Sequence, residues 1–240
     1  MILGQKHNTC RLCLNESKLC ASHVVPEFFY EYDDSEGSRR ALVLRIPEEG
    51  PAQKKTIQKG HREYLLCAQC EQILNKHERV FAPFWKSNIR GPFQIGQGMV
   101  LKGMDYHSTK LLLISVFWRA SLSEWFGQIV KLGPYSEKLR NILINNEPVK
   151  QNEYPLIARL LLNDDGTPFT GVTQPYTQQF DLSQGYVMCF GGCEWTIIMS
   201  DQLPKRLQPL GQLIRENGDL HLCTAHVSQN PFLRKMGKKL

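Results

Sequence analysis

Apolar and polar positions change rhythm several times along the chain, and each change marks an element. "KLCASHVVPEFF" is rich in β-formers and stops at Pro26, which predicts a strand with His23 at its end. Residues 33–60, "DDSEGSRR…RIPEEGPAQKKTIQKG", gather glycine, proline and charge around a short "ALVLRI", a loop with a hairpin inside it. "HREYLL" then reads as a second strand. In "EQILNKHERVFAPFW", Ile73, Leu74, His77 and Phe81 recur at helical spacing, which predicts a helix running from Glu71 to Pro83. His77 falls inside that stripe and reads as a packed, hydrogen-bonded histidine. Glu71, Asn75 and Glu78 stand at i, i+4 and i+7 on another face.

Beyond residue 85, "WKSNIRGPFQIGQGMVLKG" is glycine-rich and reads as a connector or small sheet. "YHSTKLLLISVFWRASLSEWFGQIV" is helical, with Leu112, Val116, Trp118, Ala120, Leu122 and Trp125 as core, and "SEKLRNILIN" is a second helix with Ser136 as N-cap. Arg119 is a lone cation in this apolar run, either paired inside or aimed at a phosphate. "PLIARLLLND", "GYVMCFGGCEWTIIMS" and "DLHLCTAH", separated by "NDDGTP" and "ENGD", predict a C-terminal sheet with a hairpin about the glycines of "CFGGC". The expected class is therefore α+β, with a unit at 1–85, then 86–240 carrying central helices (about 105–146) and a C-terminal sheet (about 155–225).

Composition narrows the function classes. With 42% hydrophobic and 22% charged residues in a 240-residue chain, this is ordinary globular composition. The longest apolar run, "LLLISVFW", is too short to span a bilayer, and "MILGQKHNTC" lacks the core of a signal peptide, so a cytoplasmic protein without membrane association is expected. A net charge of +6 permits an acidic partner such as nucleic acid, and the basic end "LRKMGKKL" reads mainly as a solvated tail.

In a reducing compartment eight cysteines point to metal ligation or burial rather than disulfides. "CRLC" (Cys10, Cys13) and "CAQC" (Cys67, Cys70) are two C-x-x-C knuckles, the spacing at which a tight turn aims two thiolates at one ion; together they make a structural Zn2+ site. A redox role for either pair is the alternative. Cys20, Cys189, Cys193 and Cys223 have no matching partner knuckle, and the "CFGGC" pair reads as buried thiols.

The order knuckle, strand with "SHVVP", loop, "YLLCAQC", helix resembles the ββα-metal fold of zinc-stapled HNH endonucleases over about residues 8–82. That resemblance implies that His23 is the general base that deprotonates the attacking water. It also implies a catalytic Mg2+ or Mn2+ held by His23 and the helix, with Glu71 in the ligand position directly after the fourth cysteine. A carboxylate suits such hard ions. Asn75 and Glu78 share the metal-facing side as further catalytic candidates. At other family positions this chain has Ser22, where many members have an acid, and Arg62, where an asparagine orients the imidazole.

The function expected on this basis is metal-dependent hydrolysis of nucleic-acid phosphodiesters, DNA before RNA. A homodimer would let two sites cut both strands. Two other readings remain open: a catalytically inactive zinc-ribbon module that binds nucleic acid or protein, and a subunit active only with a protein partner.

Overall fold

In the computed structural model, residues 7–32, 40–45, 53–126, 129–205 and 214–237 are described. Much of the polar loop expected over 33–60 and the end of the basic tail lie outside the described residues.

The apolar run of the middle segment forms α2 (Tyr106–Leu122), in which every residue from Ser108 to Ala120 is buried. A helix buried all round must be enclosed by other elements, and its buried polar side chains call for partners inside. Asp105 caps it by accepting from the Ser108 backbone N–H at 2.7 Å. Against α2 packs α1 (Ala68–Asn88), through Cys70, Leu74, His77, Phe81 and Trp85. The helix does not stop at Pro83 as expected. Pro83 and Arg79, whose carbonyl loses its partner there, are both exposed, so water can replace the missing bond while Phe81 and Trp85 stay in the core. α3 (Tyr135–Asn145) begins behind Pro134, which takes the N-cap position expected of Ser136. Proline's fixed φ suits the start of a helix, and the Tyr135 N–H already bonds the Leu132 carbonyl.

Three sheets surround these helices. The first is antiparallel, in the order β1-β2-β5, from β1 (His7–Thr9), β2 (Glu16–His23) and β5 (Arg62–Cys67), with a bulge between Cys20 and Ala21. The hairpin expected inside the loop is β3 (Ala41–Arg45) with β4 (Gln53–Ile57); β3 also pairs in parallel with β8 (Val172–Thr173), tying the insertion to the C-terminal half. The third sheet has the order β6-β12-β7-β11-β10-β9, from β6 (Gly98–Leu101), β7 (Leu156–Leu162), β9 (Tyr176–Phe180), β10 (Ser183–Phe190), β11 (Cys193–Ile198) and β12 (Leu220–His226). The glycine-rich connector thus supplies its edge strand. A short α4 (Pro231–Gly237) follows.

The glycines of "CFGGC" turn β10 into β11, and the turn is a junction as well. Gly191 has φ 57°, and a Cβ there would sit 2.2 Å from Cδ1 of Phe29. Its carbonyl accepts from Nε1 of Trp85 at 3.1 Å. Phe29 and α1 are therefore packed directly onto the C-terminal sheet. The division expected at residue 85 falls inside α1, and one buried cluster runs across it from Cys10 to Leu222. The α+β class holds, but its two halves share a core. Among the described residues no helix is long and apolar enough to cross a membrane.

Candidate functional site

The two knuckles meet. Cys10 and Cys13 lie in the turn after β1, Cys67 ends β5 and caps α1, and Cys70 stands in the first turn of α1. Their four sulfurs lie within 4.8 Å of one another, and among the described residues this is the single cluster of three or more His, Cys, Asp or Glu donors. A tetrahedral zinc with Zn–S bonds of about 2.3 Å needs sulfurs about 3.8 Å apart. Sγ of Cys13 and Sγ of Cys67 are 3.9 Å apart. Burial acts to raise the Cys10 thiol, but backbone N–H donors, including that of Cys67 at 3.3 Å, outweigh it and bring the pKa down to about 7. The four cysteines form no disulfide and present a donor set fit for a metal ion such as zinc.

The second group of side chains gathers at the far end of β2. His23 stands opposite Arg62 in the β2–β5 register. Its Nε2 is 2.6 Å from Oε2 of Glu27 and 2.8 Å from Nε of Arg62. Glu27 opens the 3-10 turn that follows Pro26, and it accepts from the Tyr32 hydroxyl and, at 3.2 Å, from the Gly60 N–H. Only glycine lets the chain come this close, since a Cβ at residue 60 would lie 2.8–2.9 Å from Tyr30, Glu27 and His23. Burial, with the Arg62 charge second, pushes the imidazole below its usual range. Glu27 is held below the usual carboxylate range although burial opposes this, because Tyr32, His23 and the Gly60 N–H favour its charged form.

Arg119 resolves toward the inside. It is 1% exposed; Nη1 donates to the His23 carbonyl at 2.6 Å, and Nη2 donates to Oε1 of Glu78 at 3.3 Å and Oγ of Ser115 at 3.1 Å. One guanidinium thus ties the end of β2 to both α1 and α2. Glu78 belongs to this constellation through Arg119.

Glu71 makes no ion pair or hydrogen bond to this group among the described residues; its charge, after burial, is the largest influence raising the Cys20 thiol. Oε1 of Glu71 is buried without a hydrogen-bond partner. Asn75 is half-buried and makes no side-chain hydrogen bond among the described residues. His77 is packed as expected but not hydrogen-bonded as expected, since both ring nitrogens are buried without partners. Around His23, then, Glu27 and Glu78 each engage an arginine and Glu71 is not bonded to the group. These residues do not form a preassembled set for a divalent ion comparable to the four cysteines.

The sequence pattern does not single out Glu27, the carboxylate in direct contact with His23. Its only signal is the spacing "HVVPE", four residues across a proline turn, where no helical or strand period tells which side chains meet. No protein-family model, curated protein or solved structure matches this chain.

Proposed function

We propose that the chain is an HNH-like endonuclease that hydrolyses nucleic-acid phosphodiester bonds, DNA before RNA, on a ββα unit stapled by a structural zinc. The observation that carries this reading is the joint placement of His23 and the four cysteines. Cys67 and Cys70 join the end of β5 to the start of α1, and β2, paired with β5, carries His23 at its free end beside a carboxylate and an exposed arginine.

In this scheme His23 takes a proton from water as the water oxygen bonds to phosphorus. The phosphorus–O3′ bond breaks, and the departing oxygen acquires a proton from solvent. Arg62, with its side chain 38% exposed, faces the charge that develops on the phosphate. Glu78 acts through Arg119, which holds the His23 backbone. A magnesium or manganese ion neutralises phosphate charge when bound, and such ions take substrate phosphates and water alongside one or two protein ligands. His23 and Glu71 are the residues the HNH resemblance implies for it, with Asn75 between Glu71 and Glu78 on α1, although these side chains are not gathered as the four cysteines are.

A second reading, a zinc-ribbon module that binds nucleic acid or protein, or one completed by a partner, is favoured by one specific observation: the carboxylates near His23 are engaged by arginines. Purified zinc-loaded protein incubated with supercoiled plasmid, with Mg2+, with Mn2+ or with no added divalent ion, tests the two. The nuclease nicks plasmid with the metals, not in their absence, and loses this activity in His23→Ala at unchanged zinc content and Tm. Absence of nicking by zinc-replete wild type under every condition favours the binding module.

A further inference from the structure

A single nitrogen of His23 has two competing neighbours. Nε2 lies 2.6 Å from Oε2 of Glu27 and 2.8 Å from Nε of Arg62. Toward the carboxylate it must carry a hydrogen, whereas toward the guanidinium it must offer a lone pair, so the two contacts belong to different tautomers. Resting on the nuclease reading above, we infer that Glu27 is the positioning residue of this site: it accepts the Nε2 hydrogen of His23 and thereby leaves the free lone pair on Nδ1, the atom that takes the proton from water.

Four observations support the assignment. The contact to Glu27 is the shorter one, as befits a hydrogen bond to a charged acceptor. Glu27 is itself held in place by Tyr32 and by the Gly60 N–H, so it comes to the imidazole from a fixed position. Nδ1 of His23 makes no hydrogen bond among the described residues, and the side chain is 21% exposed. Finally, Arg119 pins the His23 carbonyl, so the strand end is fixed and what remains to be decided is the orientation and tautomer of the ring.

Arg62 is then a rival rather than an orienting group. It is partly exposed and lies 3.7 Å from Glu27 through Nη2. A phosphate that draws the guanidinium away removes the one donor that, among the described residues, competes for Nε2. The proton balance is simple: the water proton moves to Nδ1, the Nε2 hydrogen stays on the ring, and the imidazolium is stabilised by the Glu27 carboxylate until solvent takes the proton back.

The test is run on the full zinc-loaded chain. Two-bond 15N–1H correlations of 15N-histidine protein, taken above the ordinary imidazole pKa of about 6.5, are expected to show His23 of the wild type with its hydrogen on Nε2. The Glu27→Gln variant is expected to lose that preference, because an amide can donate as readily as accept. Plasmid nicking by Glu27→Gln is expected to fall by roughly 10²–10⁴-fold in kcat, with little change in KM and partial recovery in Glu27→Asp. Tyr32→Phe, which keeps the carboxylate, is expected to keep the Nε2 tautomer and guards against a variant that merely misfolds. A wild-type His23 with its hydrogen on Nδ1, or a Glu27→Gln protein that cleaves within twofold of wild type, overturns the assignment. Wild type that shows the Nε2 hydrogen without cleaving supports the Glu27 contact and counts against the nuclease reading instead.

Discussion

Arg119 shows how a residue can be visibly out of place in a sequence while its purpose stays hidden. A cation in the middle of "LLLISVFWRASL" demands a partner, but Glu78 and the His23 carbonyl come from other elements, 41 and 96 positions away. Local pattern therefore identifies the residue and not its bonds. Replacing it takes the guanidinium from the half-buried Glu78 and the strand-end carbonyl and leaves a cavity where a buried side chain stood, so Arg119→Ala is expected to lower unfolding stability by roughly 3–5 kcal/mol, by urea titration. Glu78→Gln, which keeps an acceptor for the guanidinium, is expected to cost about 1–2 kcal/mol. A loss under about 1 kcal/mol for Arg119→Ala would mean that the tie does not hold the strand end. Glu71 is the converse case. Its place directly after Cys70 is plain in the sequence, yet its Oε1 is buried without a hydrogen-bond partner, and the carboxylate that meets His23 comes from a turn with no period.

At the level of elements, what was legible was local. The C-x-x-C spacings, the strand ending at His23, the strand before Cys67 and the helix after it are each written within a few residues of themselves. What was not legible depends on distant partners: β6 becomes a strand because β12 pairs with it, β3 gains β8, and α1 passes Pro83 because its exposed side can be solvated. The knuckles matter most here, because the four sulfurs join the turn after β1 to the β5–α1 junction. Metal binding to such a site is folding free energy. Cys67→Ser, or a strong chelator, is therefore expected to abolish bound zinc and to unfold the hairpin and the start of α1. Because one buried cluster runs from Cys10 through α2 to Leu222, the loss should spread. Circular dichroism is expected to show one lowered transition for the whole chain, and a retained high-temperature transition would mean that the C-terminal sheet stands alone.

On the scale of the whole molecule, the shared core makes acid stability a property of the α1–α2 interface as much as of the candidate site. His77 lies in that interface, 2% exposed, with both ring nitrogens unpartnered, and burial, followed by the Lys76 charge, pushes its pKa down to about 4. An imidazole whose folded pKa lies below its unfolded value of about 6.5 binds a proton more readily in the unfolded chain. Stability is thus intact above about pH 6.5 and is lost as pH falls toward 4, by at most about 1.4 kcal/mol per pH unit from this one group. Glu63 adds to the loss further down. Burial opposes its ionisation, but His61, Ser123 and the Glu124 N–H hold it at about 2, so its contribution is present above the ordinary carboxylate pKa and disappears as pH drops from there toward 2. The two windows separate the causes. His77→Phe fills the same apolar stripe without a titrating ring, and is expected to flatten the fall in Tm between pH 6.5 and 4 while leaving the steeper loss below pH 4. Glu63→Gln is expected to do the reverse, at the cost of a lower Tm at neutral pH because Ser123 and the end of α2 lose a charged acceptor. Should His77→Phe titrate like wild type across the upper window, the buried imidazole is not what couples the helix interface to acid.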